Sequence, residues 1–159
     1  MPFELRGHTA DVAVEAWGAT LDACIEALAN GLVAASTDDV SDTGEAFELD
    51  VTAESLEALL FEYLDELIYL RDVREELPVD NEVLQIDGPA ELDAGVASTN
   101  DQSTNDQTAD ETDAWYLRAR ARGVPLTEID AREVKAVTYS DMRLERSDSG
   151  WEGYVVFDV

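Results

Sequence analysis

Residues Leu56–Leu67 have the sequence LEALLFEYLDEL, and this stretch decides the fold class. Its apolar residues recur every three or four positions, which places them on one face of a helix with acidic residues on the other. The earlier stretch Leu21–Val33 has the same periodicity, and Thr20 stands where a helix cap is expected. The sequence therefore predicts two amphipathic helices.

Strand patterns surround these helices. Apolar and polar residues alternate before the first helix, at Val12–Ala16, and between the two helices, at Phe47–Val51. Pro78 is expected to break the chain after the second helix. Further strands are predicted at Val83–Ile86, Trp115–Ala121, Val134–Tyr139 and Trp151–Val159. This order predicts an α+β fold, with a single mixed sheet of about five or six strands backed by two helices.

At 159 residues the chain is long enough to bury a substantial core, and we expect residues 1–159 to form one domain. Residues 93–113 differ from the rest, since Ser98–Gln102 is repeated at once as Ser103–Gln107 and large apolar residues are almost absent. Burial cannot repay the entropy of ordering such a stretch, so a flexible acidic loop between two strands is predicted. An interaction tail is the alternative.

The chain carries 37 acidic and 10 basic residues, a formal charge of -27, and the acids occur in every segment. A local acidic patch would indicate a binding partner. Acids spread along the whole chain are typical of a protein from a high-salt cell, where carboxylates keep the surface hydrated. We favour this halophilic interpretation over an acidic partner-binding protein. The charge also opposes stable, direct RNA binding.

Several absences narrow the class of protein. Cys24 is the only cysteine, so no intrachain disulfide is expected, and it falls on the apolar side of the first helix. No apolar stretch reaches the roughly 18 residues of a membrane span, and no signal sequence is recognisable. The sequence thus predicts a cytoplasmic protein with no membrane partner. Glycine-rich phosphate loops, zinc-spaced cysteine pairs and Ser-His-Asp patterns are also missing, which disfavours the common enzyme classes.

The chain has one lysine, Lys135, and one histidine, His8. The lysine ammonium is a compact point donor, and arginine with its planar fork does not replace it. Lys135 is therefore a candidate donor to a phosphate or to a partner carboxylate, with a structural ion pair as the alternative. His8 is expected to have a structural role, and metal binding or general-base chemistry are its alternatives.

Two carboxylates and the last residue are candidates for a metal site. Asp11 lies at the start of a predicted strand, Asp158 is penultimate, and the carboxylate of Val159 follows. Hard oxygen ligands of this kind suit Ca²⁺ or Mg²⁺. Spacing alone supports the site weakly, because many trios can be drawn from 37 acids.

Three arginines, Arg118, Arg120 and Arg122, alternate with apolar residues and form one face of their predicted strand. Such a stripe is suited to contact phosphate or a partner. In a chain this acidic, cross-strand salt bridges explain the stripe equally well. The sequence leaves both interpretations open.

Four segments, in order, resemble the archease family: Gly7–Val12, the helix end Leu67–Leu70, Val134–Tyr139 and the terminal stretch Trp151–Val159. The Lys-Ala-Val-Thr-Tyr core and the final Asp-Val are the most specific of these motifs. The resemblance covers nearly the whole chain apart from residues 93–113. Together with the charge it indicates a haloarchaeal-type member.

The resemblance implies a small α+β accessory protein that is not itself an enzyme. Family members assist the RtcB-class RNA ligase of tRNA splicing by promoting its guanylylation and multiple turnover. They carry a divalent-metal site, usually seen with calcium, with Mg²⁺ or Mn²⁺ as alternatives. Its ligands correspond here to Asp11, Asp158 and Val159, while Lys135 and His8 fall in the motifs associated with ligase activation.

Ser140 departs from the family pattern, which often has histidine after the Thr-Tyr pair. A serine hydroxyl does not take up a proton near neutral pH, so no proton transfer is expected at this position. Two other functions stay open. One is a chaperone or modulator of RNA-processing enzymes without a metal requirement. The other, less favoured, is a metal-dependent hydrolase that uses Asp11 and Asp158.

Overall fold

The structure is a computed structural model that describes residues 3–7, 11–88 and 114–159. His8 and the predicted loop at residues 93–113 lie outside the described residues. The described elements follow the predicted alternation of strands and helices. In chain order they are β1 (Phe3–Gly7), β2 (Asp11–Gly18), α1 (Leu21–Ser36), β3 (Glu45–Ala53), α2 (Leu56–Arg74), β4 (Glu76–Asp87), β5 (Trp115–Pro125), a 3-10 helix (Leu126–Glu128), β6 (Ala136–Ser147) and β7 (Gly150–Asp158).

Both α-helices begin at a hydroxyl cap. The Thr20 side chain accepts a hydrogen bond from the Ala23 N–H at 3.1 Å, and Ser55 accepts one from Ala58 at the same distance. These contacts satisfy amides that have no partner within the first helical turn. Helix α2 continues beyond the predicted apolar face and stops at Glu75, whose φ of 57° lies in the left-handed region.

The strands form two sheets, and every described strand pair is antiparallel. Sheet A has the order β1-β2-β7-β6, and sheet B has the order β3-β5-β4. The predicted α+β class with two α-helices is therefore confirmed. The strand arrangement differs from the expected single mixed sheet, since the described strands are divided between two antiparallel sheets.

Helix α1 explains why two sheets are present. Its large apolar residues lie on the predicted face, but a second set of small residues is also buried: Ala27, Ala29, Gly31 and Ala35. A helix buried on most sides needs a layer on each side, and α1 packs against β2 and β7 of sheet A and β4 of sheet B. A prediction based on the large apolar residues alone identifies only one buried face of this helix.

Strand β4 is longer than predicted and contains Pro78. A proline lacks the N–H that a central strand needs, but β4 is an edge strand of sheet B, where this loss is tolerated. The register of β4 with β5 shifts between Val79 and Glu82 and again between Val83 and Gln85. These irregularities interrupt the strict alternation, so the sequence predicts only the Val83–Ile86 part of β4. Strand β1 was also not predicted.

Candidate functional site

Three strand ends meet at one corner of sheet A. In the strand register, Asp11 at the start of β2 lies opposite Asp158 at the end of β7, and Asp158 lies opposite Ala136 at the start of β6. Side chains at directly opposed positions of antiparallel strands share a face of the sheet. The fold therefore places the side chains of Asp11 and Asp158 side by side, although 147 positions separate them in the chain.

The two carboxylates face away from the helices. Val155 and Phe157 of β7 and Val14 of β2 are fully buried in the core, whereas Asp158 is exposed and Asp11 half-buried. The inward residues anchor the two strands, so the register that opposes the aspartates is fixed by packing. Val159 follows Asp158, and its side chain packs against the same core.

The two opposed aspartates carry charges of the same sign. Like charges directly opposite each other on neighbouring strands repel. The Oδ1 atom of Asp11 is also buried, and it has no hydrogen-bond partner among the described residues. Among the described residues, no group of three or more His, Cys, Asp and Glu side chains is placed to hold a metal. A cation here would thus need other oxygen ligands besides the two aspartates. Val159 is predicted to provide such a ligand.

Lys135 adjoins these aspartates through the backbone. Its N–H donates to the carbonyl oxygen of Asp158 at 2.7 Å, and its side chain is exposed. The preceding segment is fixed by Arg132, whose N–H donates to Ser36 at 2.7 Å and whose Nη1 donates to Ala35 at 3.0 Å. Buried Val134 completes the anchor. We call Asp11, Asp158, Val159 and Lys135 together the strand-end site.

Two other predicted positions are not part of this arrangement as described. His8 lies outside the described residues, so its expected role stays a prediction. Ser140 is exposed, within the register shift between Thr138 and Arg143 of β6, where Asp141 has a φ of 64°. This irregularity, which the sequence did not indicate, turns residues 139–142 out of the regular pairing with β7.

The arginine stripe lies on sheet B, on central strand β5. Each arginine contacts an acid of a neighbouring strand: Arg118 reaches Glu48 at 3.1 Å, Arg120 reaches Glu82 at 2.8 Å, and Arg122 reaches Asp80 at 2.8 Å. These are the cross-strand salt bridges that the sequence left open. Phosphate contact stays a prediction, and it would have to compete with these carboxylates.

The sequence does not predict a ring contact between α2 and β6. The rings of Phe61 in α2 and Tyr139 in β6 are stacked, with centroids 4.7 Å apart and planes inclined by 14°. Tyr139 nevertheless remains 52% exposed. In the sequence, Tyr139 is marked only by its place in the Lys-Ala-Val-Thr-Tyr motif. Its partner ring is on a helix that the pattern assigns to the core, so the sequence does not indicate that the two rings meet.

The model of the archease protein family (MTH1598/TM1083) matches residues 3–159. The chain belongs to the archease family. It is 33% identical over 157 residues to the protein archease of Thermococcus gammatolerans, covering 96% of this chain and 94% of that relative. It is 31% identical over 162 residues to the protein archease of Methanosarcina mazei, covering 99% and 95%.

Solved structures agree with this family assignment. The solution structure of Methanobacterium thermoautotrophicum protein 1598 matches with a TM-score of 0.72 at 25% identity, covering 99% of both chains. A crystal structure of an archease from Thermotoga maritima matches with a TM-score of 0.56 at 21% identity, covering 97% of this chain and 94% of that one. The second likeness shows the fold alone.

The two relatives bear the name protein archease, which specifies no catalytic activity. The described part of the chain contains no helix that is both long and apolar enough to cross a membrane.

Proposed function

We propose that this protein is a cofactor of an RtcB-class RNA ligase in tRNA splicing, and that it promotes ligase guanylylation and multiple turnover in the cytoplasm. Membership of the archease family over residues 3–159 supports the proposal. So does the presence of the residues that the family resemblance marks as functional, Asp11, Lys135, Asp158 and Val159.

The strand-end site is proposed to bind a divalent cation, Ca²⁺ in the first place, with Mg²⁺ and Mn²⁺ as alternatives. The observation that carries this is the direct opposition of Asp11 and Asp158, together with the buried Oδ1 of Asp11, for which the described part of the chain offers no hydrogen-bond partner. Carboxylates and a main-chain oxygen of Val159 are the hard ligands that such ions take. The bound cation would supply positive charge that offsets the repulsion of the two aspartates.

Lys135 is proposed to contact the ligase. Because its N–H is bonded to the Asp158 carbonyl, the lysine backbone adjoins the aspartates at one corner of sheet A. The exposed ammonium is then available to a phosphate or a carboxylate of the partner. Ligase docking at this corner would bring the lysine and the aspartates to the nucleotide site together.

The proposal is tested by ligase self-guanylylation in high KCl, with this protein sub-stoichiometric to the ligase. The wild type should give repeated turnover, and Asp158→Asn and Lys135→Ala should each lose about tenfold or more of the stimulation, the scale of a lost charge-assisted contact. Asp148→Asn, in the exposed turn between β6 and β7, is the matched control and should stimulate fully.

Calorimetric titration with Ca²⁺ gives a readout that does not depend on the ligase. The wild type and Asp148→Asn should bind the ion, whereas Asp158→Asn should bind at least about tenfold more weakly because it loses a charged ligand. Undiminished stimulation by both Asp158→Asn and Lys135→Ala would refute the site assignment. If the wild type itself fails to stimulate, the ligase function is wrong.

A chaperone or modulator of RNA-processing enzymes that needs no metal is the second candidate. The Thermotoga maritima neighbour is described as a possible chaperone, which favours keeping this alternative. It predicts that the protein suppresses aggregation of unrelated clients equally well with and without a metal chelator. Loss of suppression in the Asp158→Asn variant would speak against it.

A further inference from the structure

A cleft of about 660 Å³ lies between the two sheets at the start of helix α2. Its lining includes Thr52 and Ala53 at the end of β3, Glu54 and Ser55 before α2, Ala58 and Glu62 of α2, and Tyr139 of β6. We call this the Tyr139 cleft. It belongs neither to the strand-end site nor to the arginine stripe, and its walls come from β3, α2 and β6.

The Tyr139 ring gives the cleft an aromatic wall. One face of the ring is stacked on Phe61, which holds the ring in a fixed orientation. More than half of the residue nonetheless remains exposed, at 52%. An exposed, rigid aromatic ring provides contact area at a low cost in conformational entropy, which is why tyrosine is enriched at the centres of protein interfaces.

Three glutamates act on the hydroxyl of this ring. Partial burial, and after it the charges of Glu57, Glu62 and Glu54, raise the pKa of the Tyr139 hydroxyl. None of these three glutamates forms a salt bridge within the described part of the chain, unlike the acids beside the arginine stripe. The positive end of the α2 dipole, roughly half a charge, does not offset three carboxylates.

Elsewhere in the molecule, arginines lie over some of the other aromatic rings. Arg74 lies 4.3 Å from the Phe47 ring centroid, and Arg143 lies 4.9 Å from that of Tyr154. No described arginine lies over Tyr139. The ring and the neighbouring carboxylates thus provide the two kinds of contact that an arginine makes. The π face of the ring suits the guanidinium plane, and the carboxylates accept from its N–H groups.

We infer that the Tyr139 cleft docks an arginine side chain of a protein partner, with the guanidinium stacked on Tyr139 and bonded to Glu62 or Glu54. Arginine fits better than lysine because only its planar group stacks and makes paired hydrogen bonds at once. A nucleic acid does not fit, because the three carboxylates repel phosphate. The choice of the ligase as that partner rests on the proposed function, whereas the arginine preference does not.

The first experiment measures ligase binding in molar KCl by calorimetry. Tyr139→Leu and Glu62→Gln should each weaken binding by about tenfold, the scale of a central interface residue. Tyr69→Leu is the matched control for the ring, since Tyr69 is 57% exposed on the same α2 helix but does not line the cleft. Asp65→Asn, also exposed on α2, is the control for the charge. Both controls should bind as the wild type does.

The second experiment needs no ligase and therefore separates this inference from the proposed function. A tri-arginine peptide is titrated into the protein in molar KCl, which screens non-specific attraction, while the NMR signals of the tyrosine rings are followed. Tyr139 should shift and saturate, and a tri-citrulline peptide, neutral but of the same shape, should leave it unchanged. Glu62→Gln should weaken the response.

Either of two results overturns the inference. One is an unchanged Tyr139 signal at saturating tri-arginine peptide, or an equal response to tri-citrulline. The other is that Tyr69→Leu weakens ligase binding as much as Tyr139→Leu does. A ligase that does not bind the wild type, together with a Tyr139 response to tri-arginine, would instead refute the choice of partner and retain the arginine site.

Discussion

At the residue scale, the buried thiol of Cys24 shows how the core controls chemistry. Burial, with a further effect from the charge of Glu152, raises the pKa of this thiol from 9.0 to about 11. The Sγ atom lies 3.9 Å from the Ala16 carbonyl oxygen, in the layer between α1 and β2. The thiolate is the reactive form, so Cys24 should be inert to thiol reagents near neutral pH until the protein unfolds.

The raised pKa also predicts a pH dependence of stability. The unfolded thiol loses its proton near pH 9, whereas the folded thiol keeps it up to about pH 11. Between these values the unfolded state binds fewer protons, so the free energy of unfolding falls as the pH rises, by up to about 1.4 kcal/mol per pH unit. Urea unfolding of wild type and Cys24→Ala at several alkaline pH values measures this term.

In that series Cys24→Ala should be less stable than wild type near neutral pH, because it leaves a small cavity. The gap between the two proteins should then narrow as the pH rises above about 9, since only the wild type has the thiol. A gap that stays constant across this range would show that the thiol is not desolvated in the folded state.

The sequence identified the residues of the strand-end site but not why they come together. Asp11, Lys135, Asp158 and Val159 were all found through motifs and a family resemblance. Their convergence depends on the strand register, and register is decided by which side chains of β2, β6 and β7 are buried against the helices. No local pattern contains that information, so spacing alone supported the metal site weakly.

At the element scale, helix α1 closes the outer edge of sheet B with side chains. The Glu26 carboxylate accepts from the Val83 N–H at 3.0 Å, and the side-chain Oδ1 of Asn30 accepts from the Asn81 N–H at 3.1 Å. Glu26 and Asn30 are one helical turn apart, and their targets are two residues apart in β4. Edge strands with free N–H groups invite pairing with other chains, and this contact covers those groups.

Removing the Asn30 side chain tests this edge contact. Asn30→Ala leaves the Asn81 N–H without its acceptor in a residue that is only 3% exposed, and the Asn81 side-chain amide keeps only the Pro78 carbonyl oxygen. The loss should cost about 1–3 kcal/mol. Asn30→Asp keeps the acceptor and loses only the donor to the Asn81 carbonyl oxygen, so it should cost less. Urea unfolding and amide hydrogen exchange at Asn81 measure the difference.

Exchange at Asn81 should be much faster in Asn30→Ala than in Asn30→Asp. Equal stability losses in the two variants would mean that the acceptor role is unimportant, and that the helix holds the edge by packing alone.

The elements differ in how far the sequence predicted them. Helix α2 and strand β5 were placed well because a long period-3.6 pattern and a strict alternation are each difficult to produce in another way. The sequence predicts only part of strand β4, because its bulges break the alternation and its edge position admits Pro78. The second sheet was missed because the buried small residues of α1 carry little weight in a hydrophobic pattern.

At the scale of the whole molecule, the excess of negative charge is the main uncompensated contribution to the free energy of folding. The chain has a formal charge of -27, and the three arginines of β5 already have acidic neighbours on sheet B. Exposed salt bridges of this kind contribute only about 0.2–1 kcal/mol each and are themselves weakened by salt. The repulsion among the remaining carboxylates acts in the opposite direction, and salt reduces it.

These two effects predict opposite responses to salt, so the sign of the response decides between them. Because the acids greatly outnumber the bases, we expect relief of repulsion to win. The melting temperature should then rise by at least about 5 °C between roughly 0.1 M and 2 M KCl, equivalent to roughly 2 kcal/mol for a chain of this size. Thermal unfolding followed by circular dichroism at several KCl concentrations measures this.

A charge-reduced variant separates screening from a general solute effect. Asp22, Asp65 and Glu145 are exposed and lie on three different elements, so changing them to Asn, Asn and Gln removes repulsion without disturbing the core. This variant should melt at a higher temperature than wild type in low salt, and the two should converge in molar KCl. Parallel melting curves that never converge would mean that KCl acts by exclusion from the protein surface rather than by screening these carboxylates.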